Sequence, residues 1–330
     1  VENGPAPASV VVIQVPYDGT TSYKTGARDG PSAIIRASRH LEDYDLELGY
    51  DPCAAGIHTA AELEPHAAGP SWMVGRVAAA VGMYLDQGKL VGLLGGDHSI
   101  TIGAITAAGQ RFPELSVLYL DAHADFRDSY QGSAFSHACT ARRIQETCPP
   151  VLVGVRSVSS EERLALNRLK IPIFHRGPNP LVNENYAHIL QHLSEQVYIS
   201  VDLDVLDPSI MSAVGNPEPG GLGWWELLGL LRAVSQQTHI IGFNVTELSP
   251  REGQETSAYT AAKLVYKLIG YRKWWISYNI IIISIFQQKV LFYIVCNNII
   301  PMFFQYIRYS SRPTGWFAYS KRLIKVFHLK

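Results

Sequence analysis

Short apolar runs alternate with longer stretches of helical spacing along most of the chain. Each run holds four to seven residues rich in Val, Ile and Leu, which is typical of strands buried on both faces of a sheet. The predicted strands are 9–15, 90–94, 117–120, 151–155, 171–174, 197–201 and 239–245. The predicted helices are 31–41, 71–87, one after Ser99, one carrying Arg142 and Arg143, 159–168, 182–194, 224–235 and 256–269.

Strand and helix therefore alternate some seven or eight times, which predicts an α/β fold. We expect a three-layer α/β/α sandwich with a mostly parallel sheet and helices on both faces. Right-handed crossovers place the carboxyl ends of parallel strands at one edge of the sheet, where ligands of such folds bind.

Side chains that bind metals follow several of these strands. The segment D-A-H-A-D places Asp121, His123 and Asp125 two residues apart, so extended chain would point them to the same side. His98 follows the strand at 90–94, after Gly95 and Gly96. Asp202 and Asp204 follow the strand at 197–201 in the same way. A single carboxylate in such a place is usually a turn residue, but all of these are expected at one edge.

Two histidines and four aspartates exceed the four ligands of a structural zinc site. A carboxylate-rich set with some imidazole suits a harder ion of higher coordination number, Mn²⁺ foremost. Two such ions, about 3.5–4 Å apart, lower the pKa of water towards about 7 and make hydroxide available at neutral pH. The residues therefore predict metal-assisted hydrolysis, without fixing the substrate.

Glu247 and His137 are the remaining candidates at this edge. Glu247 follows the strand at 239–245, and a spare carboxylate there would suit a planar guanidinium cation. His137 ends a long loop after Asp125, and histidine, with an ordinary pKa of about 6.5, can carry protons. The alternatives are that Glu247 is a surface or capping residue and that His137 is an ordinary loop residue.

Composition narrows the partners and the compartment. The net charge is −1, which gives no field to attract nucleic acid or an anionic membrane, and 47% of the residues are hydrophobic. The four cysteines form no CxxC pair and suit a reducing, cytoplasmic compartment. The chain begins at Val1 and shows no secretory signal. A mitochondrial location is the alternative if an upstream segment is missing.

Four motifs carry a resemblance to the ureohydrolase family of arginases and agmatinases. They are G-G-D-H-S at 95–99, D-A-H-A-D at 121–125, S-V-D-L-D-V-L-D-P at 200–208 and T-E-L-S-P at 246–250. The resemblance covers about residues 9–270 and is closer to agmatinase-type members. P-Y-D-G-T-T-S-Y at 16–23 and N-P-E-P-G-G at 216–221 resemble that branch, and the chain lacks the loop with which arginases recognise the α-groups of the amino acid. Asn244 and Ser212 depart from the family pattern, which normally has Asp and Pro there.

The resemblance implies an arginase-like fold and two Mn²⁺ per chain. One ion would be held by His98, Asp121, Asp125 and Asp202, and the other by His123, Asp121, Asp202 and Asp204. A bridging hydroxide would attack the guanidinium carbon, while Glu247 orients that group and His137 protonates the leaving amine.

The implied substrate is a small cationic guanidino compound. Agmatine is the first choice, and it would give urea and putrescine. Aminopropylagmatine, guanidinobutyrate, formiminoglutamate and arginine are alternatives, as is an inactive metal-binding relative. Family members usually form homo-oligomers, either trimers or hexamers.

We divide the chain into a catalytic domain, 1–270, and an atypical tail, 271–330. All 29 acidic residues lie before residue 256, while the tail is apolar and basic. Its apolar runs are interrupted by Asn279 and by Gln287, short of the about 20 residues of a membrane span. We interpret the tail as a segment that is not native, such as translated intron. An added interaction segment or a membrane anchor is the alternative.

Overall fold

The computed structural model describes residues 7–252 and 255–272. Within them, eight strands form a single sheet in which all neighbouring strands run parallel. The strands are β1 (Val10–Val15), β2 (Ile57–Thr59), β3 (Leu90–Gly95), β4 (Leu115–Leu120), β5 (Pro150–Val155), β6 (Ile173–His175), β7 (Gln196–Asp202) and β8 (His239–Thr246). Their order across the sheet is β2-β1-β3-β8-β7-β4-β5-β6.

Helices cover both faces of the sheet, as predicted. They are α1 (Gly30–Ser38), α2 (Pro70–Leu85), α3 (Ile100–Gly109), α4 (Thr140–Ile144), α5 (Ser160–Leu169), α6 (Asn183–Leu190), α7 (Trp224–Gln237) and α8 (255–272). Two separate cores result. Helices α1, α6, α7 and α8 pack on one face, and α2 to α5 pack on the other. Central strands are buried on both sides, which explains their continuous apolar runs.

The first residues of α5 and α3 differ in how they are capped. Ser159 caps α5 in a reciprocal arrangement with Glu162, which satisfies backbone N–H groups at the start of the helix. Ser99, which directly precedes α3, does not cap that helix with its side chain. Ser99 has helical dihedrals, and its hydroxyl donates to Asp97 instead.

The chain order of the strands creates the place for a site. The chain passes from β3 directly to β4, and the last two strands, β8 and β7, fill the gap between them. Ligand sites of open α/β sheets lie where the winding of the chain reverses in this way. The four central neighbours β3, β8, β7 and β4 are the strands whose ends carry the predicted ligands.

Helix α8 ends the described part of the chain. Tyr271 is fully buried in this helix, and its hydroxyl donates to Glu47 at 2.8 Å. The predicted tail lies outside the described residues from position 273 onward. No helix within 7–252 or 255–272 has both the length and the apolar character needed to cross a bilayer.

Candidate metal centre

The ends of β3, β4 and β7 bring His98 together with three carboxylates. His98 Nδ1 lies 3.0 Å from an oxygen of Asp121, 3.5 Å from Asp125 and 3.3 Å from Asp202. All four side chains are buried. A single ring N–H cannot serve three carboxylates, whereas a metal cation can bind several oxygens and an imidazole together.

A second group lies beside the first. His123 Nδ1 is 2.9 Å from Asp204 and 3.5 Å from Asp121. Two sets of side chains could therefore each hold a metal ion, His98–Asp121–Asp202 and Asp121–His123–Asp204. Ligand atoms within each set lie within 4.8 Å of one another, and Asp121 belongs to both.

Asp125 lies at the border of the first set. It belongs to neither group, but its Oδ2 also accepts a hydrogen bond from the buried hydroxyl of Tyr119 at 2.8 Å. The Tyr119 ring stacks on His98, with centroids 4.6 Å apart and planes 9° from parallel. Tyr119 thus fixes both a carboxylate and an imidazole.

The aspartates crowd negative charge into a buried space. Burial raises the pKa of Asp121 to about 6, and the nearby Asp204 and Asp125 carboxylates add to the shift. Burial, with the charges of Asp204 and Asp121, raises the pKa of Asp202 well above its usual range. Burial also opposes the charged form of Asp204, but His123 lowers the pKa of that group to about 2.

The imidazoles respond in the opposite sense. Burial lowers the pKa of His98, but hydrogen bonds to the three carboxylates outweigh it and raise that pKa well above its usual value. Burial also opposes the charged form of His123, but the Asp204 and Asp121 carboxylates outweigh it and raise the pKa of that ring. The clustered carboxylates therefore stabilise positive charge on the groups beside them. Divalent cations would supply that charge, so the donor set fits a carboxylate-rich metal site.

Glu247 and His137 lie at the same edge. Both line a cleft of about 190 Å³ together with His123, Asp125, Asp202 and Asp204. Glu247 is buried, and its Oε1 accepts the backbone N–H of His98 at 2.8 Å. All of the predicted site residues therefore line this cleft or belong to the two ligand sets beside it.

Two site residues have left-handed backbone. Asp125 has φ 47° and Glu247 has φ 67°, and such conformations cost about 1–3 kcal/mol for residues other than glycine. The left-handed conformation of Asp125 bends the chain directly after D-A-H-A. The segment is therefore not extended to its end, although the sequence suggested that it would be.

Several side chains that shape the centre were missed from the sequence. Tyr119 lies inside an apolar strand that was predicted to be buried. A polar hydroxyl at such a position was the signal available in the sequence. Ser200 accepts from or donates to His98 Nε2 at 2.8 Å. Arg156 donates to the carbonyl oxygens of Asp204 and Glu218, each at 2.7 Å, and so joins the loop that carries Glu218 to the segment that carries Asp204.

Comparisons with known proteins identify the family of the chain. The model of the arginase family matches residues 8–270. The chain is 40% identical to N(1)-aminopropylagmatine ureohydrolase of Synechocystis sp., over 81% of this chain and 90% of that protein. It is 35% identical to agmatinase of Pyrococcus horikoshii, over 80% and 92% of the two chains.

A solved structure has the same fold. The agmatine ureohydrolase of Thermoplasma volcanium superposes with a TM-score of 0.76 and 32% identity, covering 83% of this chain and 93% of that one. The match to the family model spans the whole sheet and every predicted ligand. The chain therefore belongs to the arginase family of hydrolases.

Proposed function

We propose that this chain hydrolyses a guanidino compound, agmatine first, to urea and a primary amine, putrescine in that case. The observation that carries the proposal is the convergence of His98, Asp121, Asp125 and Asp202 on one buried point. His123 and Asp204 complete a second set beside it. Family membership supports the reaction class.

We infer that two Mn²⁺ occupy the centre. His98, Asp121, Asp125 and Asp202 would hold one ion, and His123, Asp121, Asp202 and Asp204 the other, so that two aspartates are shared. When bound, such ions lower the pKa of water to about 7 and make hydroxide available at neutral pH. The buried aspartates supply the negative charge that two divalent cations require.

Glu247 would bind and orient the guanidinium group. One carboxylate oxygen is held by the His98 backbone N–H, which fixes the side chain. The same carboxylate lines the cleft and can pair with a cation there. Burial, reinforced by Asp97, raises the pKa of Glu247, so a bound guanidinium would stabilise its ionised form.

His137 would move the proton that the leaving amine needs. Its side chain lines the cleft from the loop after β4, close to both ligand sets. As the bond between carbon and the amine nitrogen breaks, that nitrogen keeps the electron pair and takes a proton from the ring. Without this proton the amine would leave as an unfavourable anion.

N(1)-aminopropylagmatine is the second candidate substrate. This candidate is supported by sequence identity. The chain is 40% identical to the Synechocystis N(1)-aminopropylagmatine ureohydrolase and 35% identical to the Pyrococcus agmatinase. Both substrates carry the same guanidino group, so the centre accommodates either. They differ only in the amine-bearing tail that extends away from Glu247.

We also propose an assembly and a location from the family pattern. The catalytic domain, residues 1–270, would form a homo-oligomer, either a trimer or a hexamer, in the cytoplasm. Sedimentation of the purified full chain measures the first, and imaging of the tagged protein in its own cells measures the second.

Urea release by the Mn²⁺-loaded full chain tests the function. Agmatine, N(1)-aminopropylagmatine, arginine and guanidinobutyrate should be compared at equal concentration, with Asp121→Asn as the inactive control. We expect urea from one of the first two and very little from arginine. Absence of urea from every substrate, with manganese bound, would overturn the proposal.

A further inference from the structure

A buried carboxylate beside His98 is hydrogen-bonded to neighbouring loop residues and is not part of the ligand sets. Asp97 follows β3, is fully buried and belongs to neither ligand set. Its Oδ1 accepts the backbone N–H of Ser99 at 3.0 Å and the hydroxyl at 2.5 Å. Its Oδ2 accepts the backbone N–H of Thr20 at 2.8 Å and the hydroxyl at 2.9 Å. Four donated hydrogen bonds occupy both oxygens, so Asp97 acts as a clamp for Thr20.

The clamp determines what the Thr20 hydroxyl can offer to its other neighbour. A hydroxyl has one proton and two lone pairs. The proton of Thr20 is donated to Asp97, so only lone pairs remain. The backbone N–H of His137 donates to this oxygen at 2.9 Å, although the two residues are 117 positions apart. His137 Nδ1 lies 3.3 Å from the same oxygen.

The second contact is favourable for only one form of the neutral imidazole ring. If Nδ1 carries the hydrogen, it donates to Thr20 Oγ1. If Nδ1 carries a lone pair, two lone pairs face each other. The Ser136 hydroxyl, 3.3 Å from Nδ1, can accept from the same N–H. On the other side of the ring, the Ser22 hydroxyl lies 3.4 Å from Nε2 and can donate to its lone pair.

We propose that Thr20, clamped by Asp97, is a positioning residue that holds His137 in the Nδ1–H tautomer. This inference rests on the proposed function. In that tautomer Nε2 is the nitrogen that gains and returns the proton. The proton released by the attacking water would pass to Nε2. The same nitrogen would then protonate the leaving amine, whose nitrogen keeps the electron pair of the broken bond, and the ring returns to its starting form.

The first test reads the tautomer directly, without any reaction. The full chain is labelled with ¹⁵N-histidine and kept free of paramagnetic ions. Long-range ¹H–¹⁵N spectra are recorded at about pH 8, above the ordinary pKa of histidine. His137→Asn identifies the signal. We expect the Nδ1–H form in the wild type and in Thr20→Ser, and a mixture of the two forms in Thr20→Val.

Thr21→Val is the matched control for this spectrum. The Thr21 hydroxyl donates to the carbonyl of Asp18 in the same loop, whereas the hydroxyls that contact His137 are those of Thr20, Ser22 and Ser136. We expect it to leave the tautomer unchanged. An Nε2–H form in the wild type, or no change in Thr20→Val, would overturn the proposal.

The second test asks whether the tautomer serves catalysis. With the preferred substrate, we expect Thr20→Val to lower kcat by about 10- to 100-fold while KM stays within about threefold. Thr20→Ser should restore kcat, and equal unfolding midpoints should exclude a folding defect. An unchanged kcat in Thr20→Val would overturn the catalytic part. The expected spectra without urea from the wild type would instead mark a failure of the proposed function.

Discussion

The Nε2 atom of His98 lies 2.8 Å from the hydroxyl oxygen of Ser200, on the far side of the ring from the three carboxylates. If Nε2–H donates to Ser200, Nδ1 presents its lone pair to the point where Asp121, Asp125 and Asp202 meet. Partners behind a ligand histidine fix the orientation of its ring and raise its basicity. Ser200 therefore holds the His98 ring in the orientation and tautomer in which Nδ1 can bind a cation.

We predict that Ser200→Ala weakens metal binding without unfolding the chain. Loss of such a partner typically lowers metal affinity by about 10- to 100-fold. Competition between the protein and a chelator of known affinity measures the change. Ser116→Ala is the matched control, because Ser116 is equally buried but lies near the start of β4 and pairs with Ser194. Equal affinities in the two variants would contradict a ligand role for His98.

We predict that Glu247→Gln impairs substrate use while metal content stays normal. The amide oxygen of Gln can still accept the His98 N–H, so the side chain should keep its place. The negative charge facing the guanidinium is lost, which costs about 2–4 kcal/mol, or roughly 30- to 1,000-fold in kcat/KM. Steady-state urea release and elemental analysis measure the two quantities.

Glu252→Gln is the control for that experiment. Glu252 lies five residues further on and pairs with Lys24 outside the cleft. It should retain wild-type kcat/KM. If Glu247→Gln also stays within about threefold of the wild type, Glu247 does not bind the guanidinium group.

The features that could be predicted from sequence are those written into short stretches of chain. The apolar run at 117–120 predicted a strand, and β4 (Leu115–Leu120) is one. Parallel order then required Asp121, Asp202 and Glu247 to share an edge, and the structure brings them together there. No long-range contact had to be known for this, because topology and residue type were enough.

The features that escaped prediction depend on contacts between distant segments or on weak local signals. Strand β2 (Ile57–Thr59) is a three-residue edge strand that is not fully buried, so it carries no apolar run. Helix α6 (Asn183–Leu190) ends four residues before the predicted position 194. The hydroxyl of Thr20 finds His137 only because β1 and β4 end at the same edge of the sheet. Its role could not be seen in a loop of threonines and serines.

Lys267 anchors α8 to the rest of the domain through a buried ion pair. It is 4% exposed, and its Nζ lies 2.6 Å from Asp45 and 2.5 Å from Glu47. We predict that Lys267→Met destabilises the protein by about 3 kcal/mol, because it leaves buried carboxylates with fewer partners. Unfolding in urea measures the change. Arg251→Met removes only the exposed pair with Asp29 and should change the midpoint little. A similar midpoint in both variants would mean that the Lys267 ion pair adds little to the docking of α8.

The same ion pair gives the stability a dependence on pH. Burial opposes the charged form of Asp45, but Lys267, the backbone N–H of Leu48 and Lys263 outweigh it and lower the pKa of Asp45 below its ordinary 3.8. Burial likewise opposes the charged form of Glu47, but hydrogen bonds from Lys267, Arg232 and Tyr271 outweigh it and lower the pKa of Glu47. A carboxylate whose pKa is lower in the folded state adds stability above its unfolded pKa and loses it as pH falls through the folded value.

We therefore predict that the stabilising effect of Lys267 is constant above about pH 5 and shrinks below about pH 4. The quantity to measure is the difference in free energy of unfolding between the wild type and Lys267→Met, because the metal-centre carboxylates contribute equally to both. Urea unfolding of the metal-free proteins from pH 3 to pH 7 gives this difference. A difference that stays constant down to pH 3 would show that neither Asp45 nor Glu47 loses its charge in that range. A difference that grows as pH falls would contradict the role of Lys267 in the downward pKa shifts, because Asp45 and Glu47 would then have to bind protons more readily in the folded wild type than in folded Lys267→Met.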